Sequence, residues 1–294
     1  MDSASGAWSQ EAKLTASTPI VEAHFGSSVA IDGDVAVVAS PRANSESGLA
    51  YIFERQPDNS WTEVVILSAY EPTDGDRFGI SVGVSGPAVI VGSYREDDGG
   101  VNRGAAYIYE KQPGTGVWTN ATKLLASDTV AGRNFGTDTA IQGMRAVVGA
   151  PKGSGEAGQV YVFERLPTGW YESAVLQPSD GSTGDDFGVK VALDGNTVVV
   201  SAQGVDDGFG KTDVGAVYFF EKRPQGWLEV YKFENSCADS ANKIGGSGLA
   251  IGGGTIAIGA NLIDRVYVLD QAETSESAKQ CYNFEGYTVE SSTR

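Results

Sequence analysis

The sequence predicts an all-β protein, a five-bladed β-propeller of four-stranded antiparallel blades, on three observations. The five tryptophans, Trp8, Trp61, Trp118, Trp170 and Trp227, stand 53, 57, 52 and 57 residues apart. Six residues after each comes a large apolar residue (Leu14, Leu67, Leu124, Leu176, Phe233). Seventeen after each comes Phe25-Gly26, Phe78-Gly79, Phe135-Gly136 or Phe187-Gly188, worn in the fifth copy to Ile244-Gly245-Gly246. Five tryptophans in one register with two further positions define a repeat, and the local signals inside it are all β.

After Phe25-Gly26 the stretch Ser27 to Ile31 alternates, Asp32-Gly33 turns, and Val35 to Val38 returns. An Asp-Gly turn between apolar runs is a strong hairpin signal. The other copies turn at Ser85-Gly86, Gln142-Gly143, Asp194-Gly195 and Gly252-Gly253. A third strand follows, with tyrosine in a fixed place: Tyr51, Tyr107, Tyr161, Tyr218 and Tyr267. A short polar loop then leads to the Trp strand. Runs such as Val198-Val199-Val200 are apolar on both faces, as strands sandwiched between neighbouring blades require. A β-solenoid would use coils of about 20–30 residues, too short for this period.

The phase of the repeat predicts how the ring closes. The chain begins with a Trp strand and its last regular copy stops at the Tyr267 strand, so residues 8–14 are expected to pair there and complete blade five. Such a closure hides the sheet edges. Residues 1–270 are expected to be one propeller and residues 271–294 a polar C-terminal tail.

Composition narrows the partners. With 21 Lys and Arg against 38 Asp and Glu, the net charge is −17. A surface this acidic repels nucleic-acid phosphates and anionic lipid heads. It suits cations, basic protein patches, or plain solubility. No run approaches the roughly eighteen apolar residues of a membrane helix, so membrane insertion is not expected. The first residues, Met1 to Ser5, lack an apolar signal core, which fits a processed or a cytosolic form. Two cysteines and one histidine (His24) are too few for a structural zinc site. Two cysteines suit one disulfide or two free thiols. Because Cys237 precedes the fifth inner strand and Cys281 lies in the tail, a disulfide pinning the tail is expected, and with it an oxidising compartment.

The Phe-Gly pairs followed by a strand and Gly149-Ala150-Pro151 resemble the FG-GAP repeat, the blade unit of the integrin α-chain headpiece and of many secreted bacterial and algal proteins. The resemblance covers residues 8–270. Gly-Ala-Pro is intact once; Ala39-Ser40-Pro41, Gly92-Ser93-Tyr94, Ser201-Ala202-Gln203 and Gly259-Ala260-Asn261 hold the other places. The resemblance implies the propeller fold and an extracellular or cell-surface binding habit. It does not carry over the family's calcium loops, since only two-residue turns stand between the first two strands here.

If the Phe-Gly strand is innermost, as the resemblance implies, the loops entering it and the loops joining strands two and three share one face, here called upper. Acidic residues collect there, and the longest loops are Tyr94 to Arg103 and Gln203 to Val214. Long loops on a rigid scaffold carry binding, so Tyr94, Glu96, Asp97, Asp98, Asp206, Asp207 and Asp213 are the ligand-binding candidates. Two trios, Asp180, Asp185, Asp186 and Asp206, Asp207, Asp213, are candidates for weak calcium; otherwise no cofactor is required. The competing reading makes these aspartates solvated turn formers.

The Trp and Tyr rows are read as inter-blade packing, and His24 as a turn residue. Asn120-Ala121-Thr122 is a glycosylation acceptor only in a protein secreted by a eukaryote. On the inner strands Ser28, Ser81, Asp138 and Lys190 share one position, and Asp138 and Lys190, in adjacent blades, are expected to pair near the axis.

The function expected is a non-enzymatic binding or adhesion scaffold, outside the cell and monomeric, for a protein or glycan. A lectin is the first alternative, but its loops would repeat aromatic groups, and Tyr70, Tyr94 and Phe209 form no repeated set. A glycosidase is the second, and it needs two carboxylates about 5–10 Å apart. Near the central funnel the inner strands supply only Asp138, so no catalytic residue is expected.

Overall fold

The computed structural model describes residues 8–97, 101–119, 121–128, 132–151, 156–234, 241–260 and 265–270. They form a five-bladed β-propeller of antiparallel sheets. Blade one is β1 (Val29–Asp32), β2 (Val35–Ser40), β3 (Leu49–Arg55) and β4 (Trp61–Leu67). Blade two is β5 (Val82–Ser85), β6 (Ala88–Ser93), β7 (Ala105–Glu110) and β8 (Thr122–Leu124). Blade three is β9 (Thr139–Gln142), β10 (Arg145–Ala150), β11 (Gln159–Leu166) and β12 (Gly169–Leu176). Blade four is β13 (Phe187–Asp194), β14 (Thr197–Ala202), β15 (Ala216–Arg223) and β16 (Gly226–Phe233). Blade five shows β17 (Leu249–Gly252), β18 (Thr255–Ala260) and β19 (Arg265–Asp270). In every blade the strands lie in sequence order from the axis outward, with β1, β5, β9, β13 and β17 innermost.

The first hairpin of each blade turns one residue later than its X-Gly pair suggests. Asp32 pairs with Val35, so the turn residues are Gly33 and Asp34, and the glycine takes the positive φ, +56°. Gly86, Gly143, Gly195 and Gly253 do the same at +52° to +59°. A positive φ at the first turn position matches the twist of the flanking strands, and glycine adopts it without strain.

The core is a set of layers between blades rather than one central mass. Leu67 and Ala69, at the end of blade one, pack with Phe78, Tyr107 and Tyr109 of blade two. Leu124 and Ala126 meet Phe135, Tyr161 and Phe163 in the same way, and Leu176 meets Phe187, Tyr218 and Phe220. Each Phe of the Phe-Gly pair stands edge-on to its blade's tyrosine, with centroids 5.2–5.4 Å apart. Such edge-to-face pairs add to plain burial. In blade five Ile244 replaces the phenylalanine, and Tyr267 packs with Phe233 of blade four instead.

Polar links repeat from blade to blade as well. On the lower face the residue before each turn glycine accepts from the next blade's turn: Gly86 N–H donates to Asp32 Oδ2 (2.7 Å), Gly143 N–H to Ser85 Oγ (2.9 Å), and Gly253 N–H to Asp194 Oδ2 (3.1 Å). At the ends of the third strands, Lys111 reaches back to Glu54 (2.8 Å), Arg165 to Glu110 (2.8 Å) and Lys222 to Glu164 (3.2 Å). On the rim, Ser17, Ser127 and Ser179 each donate their N–H and hydroxyl to one glutamate of the following blade, Glu63, Glu172 and Glu229. Between blades one and two, Tyr70 and Asn120 hold the places of the serine and the glutamate together.

The expected pairing of residues 8–14 with the Tyr267 strand is corrected. Residues 8–16 have no strand structure, and β19 pairs with β18 alone among the described strands. Leu14 and Ala16 lie instead against Ala36, Val38, Tyr51 and Phe53 of blade one, and Glu11 pairs with Arg55 (3.2 Å). The N-terminal segment thus takes the position on blade one that a preceding blade's outer strand would take, while Trp8 is exposed. Cys237 and Cys281 both lie outside the described residues, as do Asp98 and Asn120.

Candidate functional site on the upper face

The two sets of loops proposed to share a face are hydrogen-bonded to one another across the four junctions from blade one to blade five. Phe78 N–H donates to Ser47 O (3.0 Å), Phe135 N–H to Arg103 O (3.1 Å), Phe187 N–H to Ala157 O (2.7 Å) and Ile244 N–H to Val214 O (3.0 Å). A glycine makes each approach feasible: Gly48, Gly104, Gly158 and Gly215 have φ of +82° to +104° and lie against the next blade's Phe-Gly (or Ile-Gly) backbone. The upper loops are therefore a stitched rim, fixed to the scaffold at both ends.

This rim is hollow at blade four. A pocket of about 500 Å³ lies between the loop Asp180–Asp185, the loop Gly204–Asp213 and Lys232 of β16. Its origin is a substitution between blades. In blade two, Glu96 is buried and fills the corresponding space, accepting from the Tyr107 hydroxyl (2.8 Å) and pairing with Lys123 (3.1 Å). In blade four that repeat position is Val205, which is shorter and apolar, so Tyr218 and Lys232 turn to Asp180 instead (2.9 and 2.6 Å). Lys232 is neutralised further by Glu234. The pocket wall then carries Asp185, Asp206 and Asp213, with Phe209 exposed at the tip of the adjoining loop.

The carboxylates differ in state. Burial would raise Asp180, but hydrogen bonds from Lys232 and Tyr218 outweigh it and hold the group below the ordinary range. Burial pushes Asp185 up, aided by Asp180 and Asp206 and only partly opposed by the Ser182 N–H and Lys232. A raised carboxyl destabilises the fold where it is ionised, above its folded pKa, and the penalty vanishes below the unfolded value. Asp185→Asn, which keeps an acceptor for Ser182, is therefore expected to raise the melting temperature slightly at pH 7. That gain should disappear on acidification through the carboxylate range, as thermal melts at two pH values will show.

Most carboxylates of the two candidate calcium trios already accept hydrogen bonds. Asp185 accepts from Ser182 N–H (2.7 Å), Asp186 from Gln203 (3.0 Å), and Asp206 from Asp213 N–H (3.0 Å). Asp207 caps its own loop through Phe209 and Lys211 N–H (2.8 and 3.0 Å). Among the described residues no three acidic, histidine or cysteine side chains come together as a ligand set. These aspartates are turn formers here, as their short side chains favour. In the blade-two loop, Asp97 likewise accepts from Asn102 N–H (2.7 Å), Tyr94 lies under the Arg95 guanidinium (5.3 Å), and buried Glu96 is not available to a ligand. The structure thus brings Asp206 and Asp213 to one pocket and leaves Tyr94 and Asp97 elsewhere on the rim.

Near the axis, Lys190 Nζ lies 3.7 Å from Asp138 Oδ1, and Val191 N–H donates to Asp138 Oδ2 (2.9 Å). Burial lifts the Asp138 carboxyl, and Lys190 with the Val191 and Thr139 N–H groups oppose the lift. The other charge ladder, from Glu54 to Lys222, escaped the sequence reading. Its signal was present as an acidic residue followed by a basic one three and four places after each tyrosine, in Glu54-Arg55, Glu110-Lys111, Glu164-Arg165 and Glu221-Lys222.

Five radially ordered sheets, Phe-Gly pairs against the tyrosines, and upper loops stitched through glycine define a repeat-built propeller of the Phe-Gly/Gly-Ala-Pro class. The FG-GAP repeat family model matches residues 8–53, 61–109, 118–163 and 170–220, together more than half of the chain. The chain belongs to the FG-GAP repeat family. No curated protein matches the sequence. Among solved structures the chain is similar to "Structure of YjhT", with 15% identity and a TM-score of 0.45 over 80% of this chain and 72% of that one. Among the described residues no helix is long and apolar enough to cross a membrane.

Proposed function

We propose that this propeller is a non-enzymatic scaffold, extracellular or at the cell surface, that holds a protein partner on its upper face. The pocket at blade four takes a lysine or arginine side chain of that partner. The observation that supports this reading is the imbalance of the pocket: Asp185, Asp206 and Asp213 line it, while Lys232 is already held by Asp180 and Glu234. Exposed Phe209 beside the pocket offers apolar contact for the stem of such a side chain. A chain of net charge −17 also draws basic partners toward it over a distance. No cofactor enters this reading.

The test applies the intact domain to a peptide array containing lysine- and arginine-bearing sequences and to a glycan array, with and without calcium. Binding to basic peptides is expected, weakening with salt and falling about tenfold or more in Asp206→Asn/Asp213→Asn, one unit of ten being about 1.4 kcal/mol. Binding of a defined sugar that ignores those substitutions would move the protein to the lectin reading, and turnover of a polysaccharide would make it an enzyme. Strict calcium dependence would restore an ion to the upper loops.

A further inference from the structure

We propose that the fifth joint, from blade five to blade one, is made between two copies of this chain, the last blade of one copy packing on the first blade of the next. At the other four joints the inner strands pack in turn, β1 on β5, β5 on β9, β9 on β13 and β13 on β17. Among the described elements β17 and β1 are not packed in this way, and both faces of the joint are bare. On blade five, Val266 and Val268 are 68% and 66% exposed. Their counterparts in the other four blades, Ala50 and Ile52 through Val217 and Phe219, are covered by the following blade and at most 4% exposed. On blade one, Val29 and Ile31 are 64% and 66% exposed, whereas Val82, Ile141 and Val191, in the same places of later blades, are at most 8% exposed. Apolar surface left in water on both sides of one joint favours whatever contact covers it.

The repeat says what fits each face. Blade five presents the face that a following blade covers, and blade one presents the face that a preceding blade covers. Faces of these two kinds pack together at the other four joints. Where a Cβ on Gly83 of blade two would stand 3.3 Å from the Ile141 side chain of blade three, Ala250 of blade five would meet Ile31 of blade one. The edges match as well. Among the described strands β19 pairs with β18 alone, so blade five shows no outer strand. On blade one, the segment ending at Leu14 holds the place of a preceding blade's outer strand, with Trp8 exposed. A blade five arriving on blade one would set β19 beside that segment. Closing the joint within one chain would bend the four packed joints, where Gly48, Gly104, Gly158 and Gly215 leave backbone against backbone with no slack. A second copy brings the same faces together with no joint altered, in a contact that uses a different face on each partner.

Sedimentation of the full chain tests this. The mass of the parent should rise above that of one chain with concentration, and added salt should favour the rise, since two chains of charge −17 repel until they are screened. Binding of a basic partner at the blade-four pocket carries the opposite salt dependence. Val268→Asp and Ile31→Asp each change a residue that is in water in the single chain, so each variant should melt with the parent and sediment as one chain. Mixed together, the two variants should form a dimer and nothing larger, because each keeps the face that the other has lost. A parent that sediments as one chain up to millimolar concentration overturns the proposal, and so does a mixture that stays as single chains. A melting temperature that falls by several degrees in either variant, measured as a single chain, overturns it too, because these faces would then be packed within one molecule.

Discussion

Gly104→Ala is expected to destabilise the propeller by about 3–5 kcal/mol, because a Cβ there meets backbone that cannot yield. The added carbon would stand 2.0 Å from Phe135 O and 2.6 Å from Phe135 N, in a residue held at φ +82°. Gly104 and Phe135 form a parallel bridge between blades two and three, so relief requires the two blades to part. Gly143→Ala is the control. Its φ is similarly positive, +57°, but nothing lies within 4 Å of the new carbon. It should cost only the left-handed strain, about 1–2 kcal/mol. Urea unfolding of the two variants beside the parent separates close approach from backbone strain. If both unfold at the same urea concentration, the stitched rim does not hold the blades together.

Asp138→Ala should be the next most damaging change, at about 2–3 kcal/mol, since it strands two groups at once. Val191 N–H loses its acceptor, and Lys190, two-thirds covered, is left with no counter-charge at 3.7 Å. Asp138→Asn keeps an acceptor for Val191 and gives up only the charge, so it should cost clearly less. A double-mutant cycle with Lys190→Ala measures the pair itself. Equal stability of the Asn and Ala variants would show that the Val191 hydrogen bond contributes nothing and that the axis is simply wet.

The sequence reading reached the fold through positions that packing makes unavoidable. Leu67, Phe78, Tyr107 and Trp118 recur because one inter-blade layer is built from them, and such layers leave a period that no single strand would. Two things escaped it. The closing strand was assigned from phase alone to residues 8–14; Leu14 and Ala16 do pack against Tyr51 and Phe53 of blade one, but among the described strands β19 pairs with β18 alone, and phase says nothing about pairing. The acidic loops were judged by charge, whereas the geometry shows Asp97, Asp185, Asp186, Asp206 and Asp207 each answering a nearby donor. Asp97 and Asp207 look like ligands in sequence and act as loop caps in space, because an unsatisfied backbone N–H in a tight loop recruits the closest carboxylate. The blade-four pocket was legible only in part: its aspartates were named, but the exchange of Glu96 for Val205 that hollows it needs the blades superposed.

The links between blades also say how the molecule yields under load. A ring transmits tension around its circumference, and joints in series give way at the weakest. Four joints have a glycine at the close approach, Gly48, Gly104, Gly158 and Gly215; the fifth runs from blade five to blade one. The same joint begins from Gly252, which has no side chain to accept from the turn of blade one, where Asp32, Ser85, Gln142 and Asp194 each accept from the next. Pulled from its two ends, the protein should therefore peel blade by blade from the C-terminal side rather than burst at once. A tether at the N-terminus would leave most of the hoop, and the blade-four pocket with it, intact through the first extension.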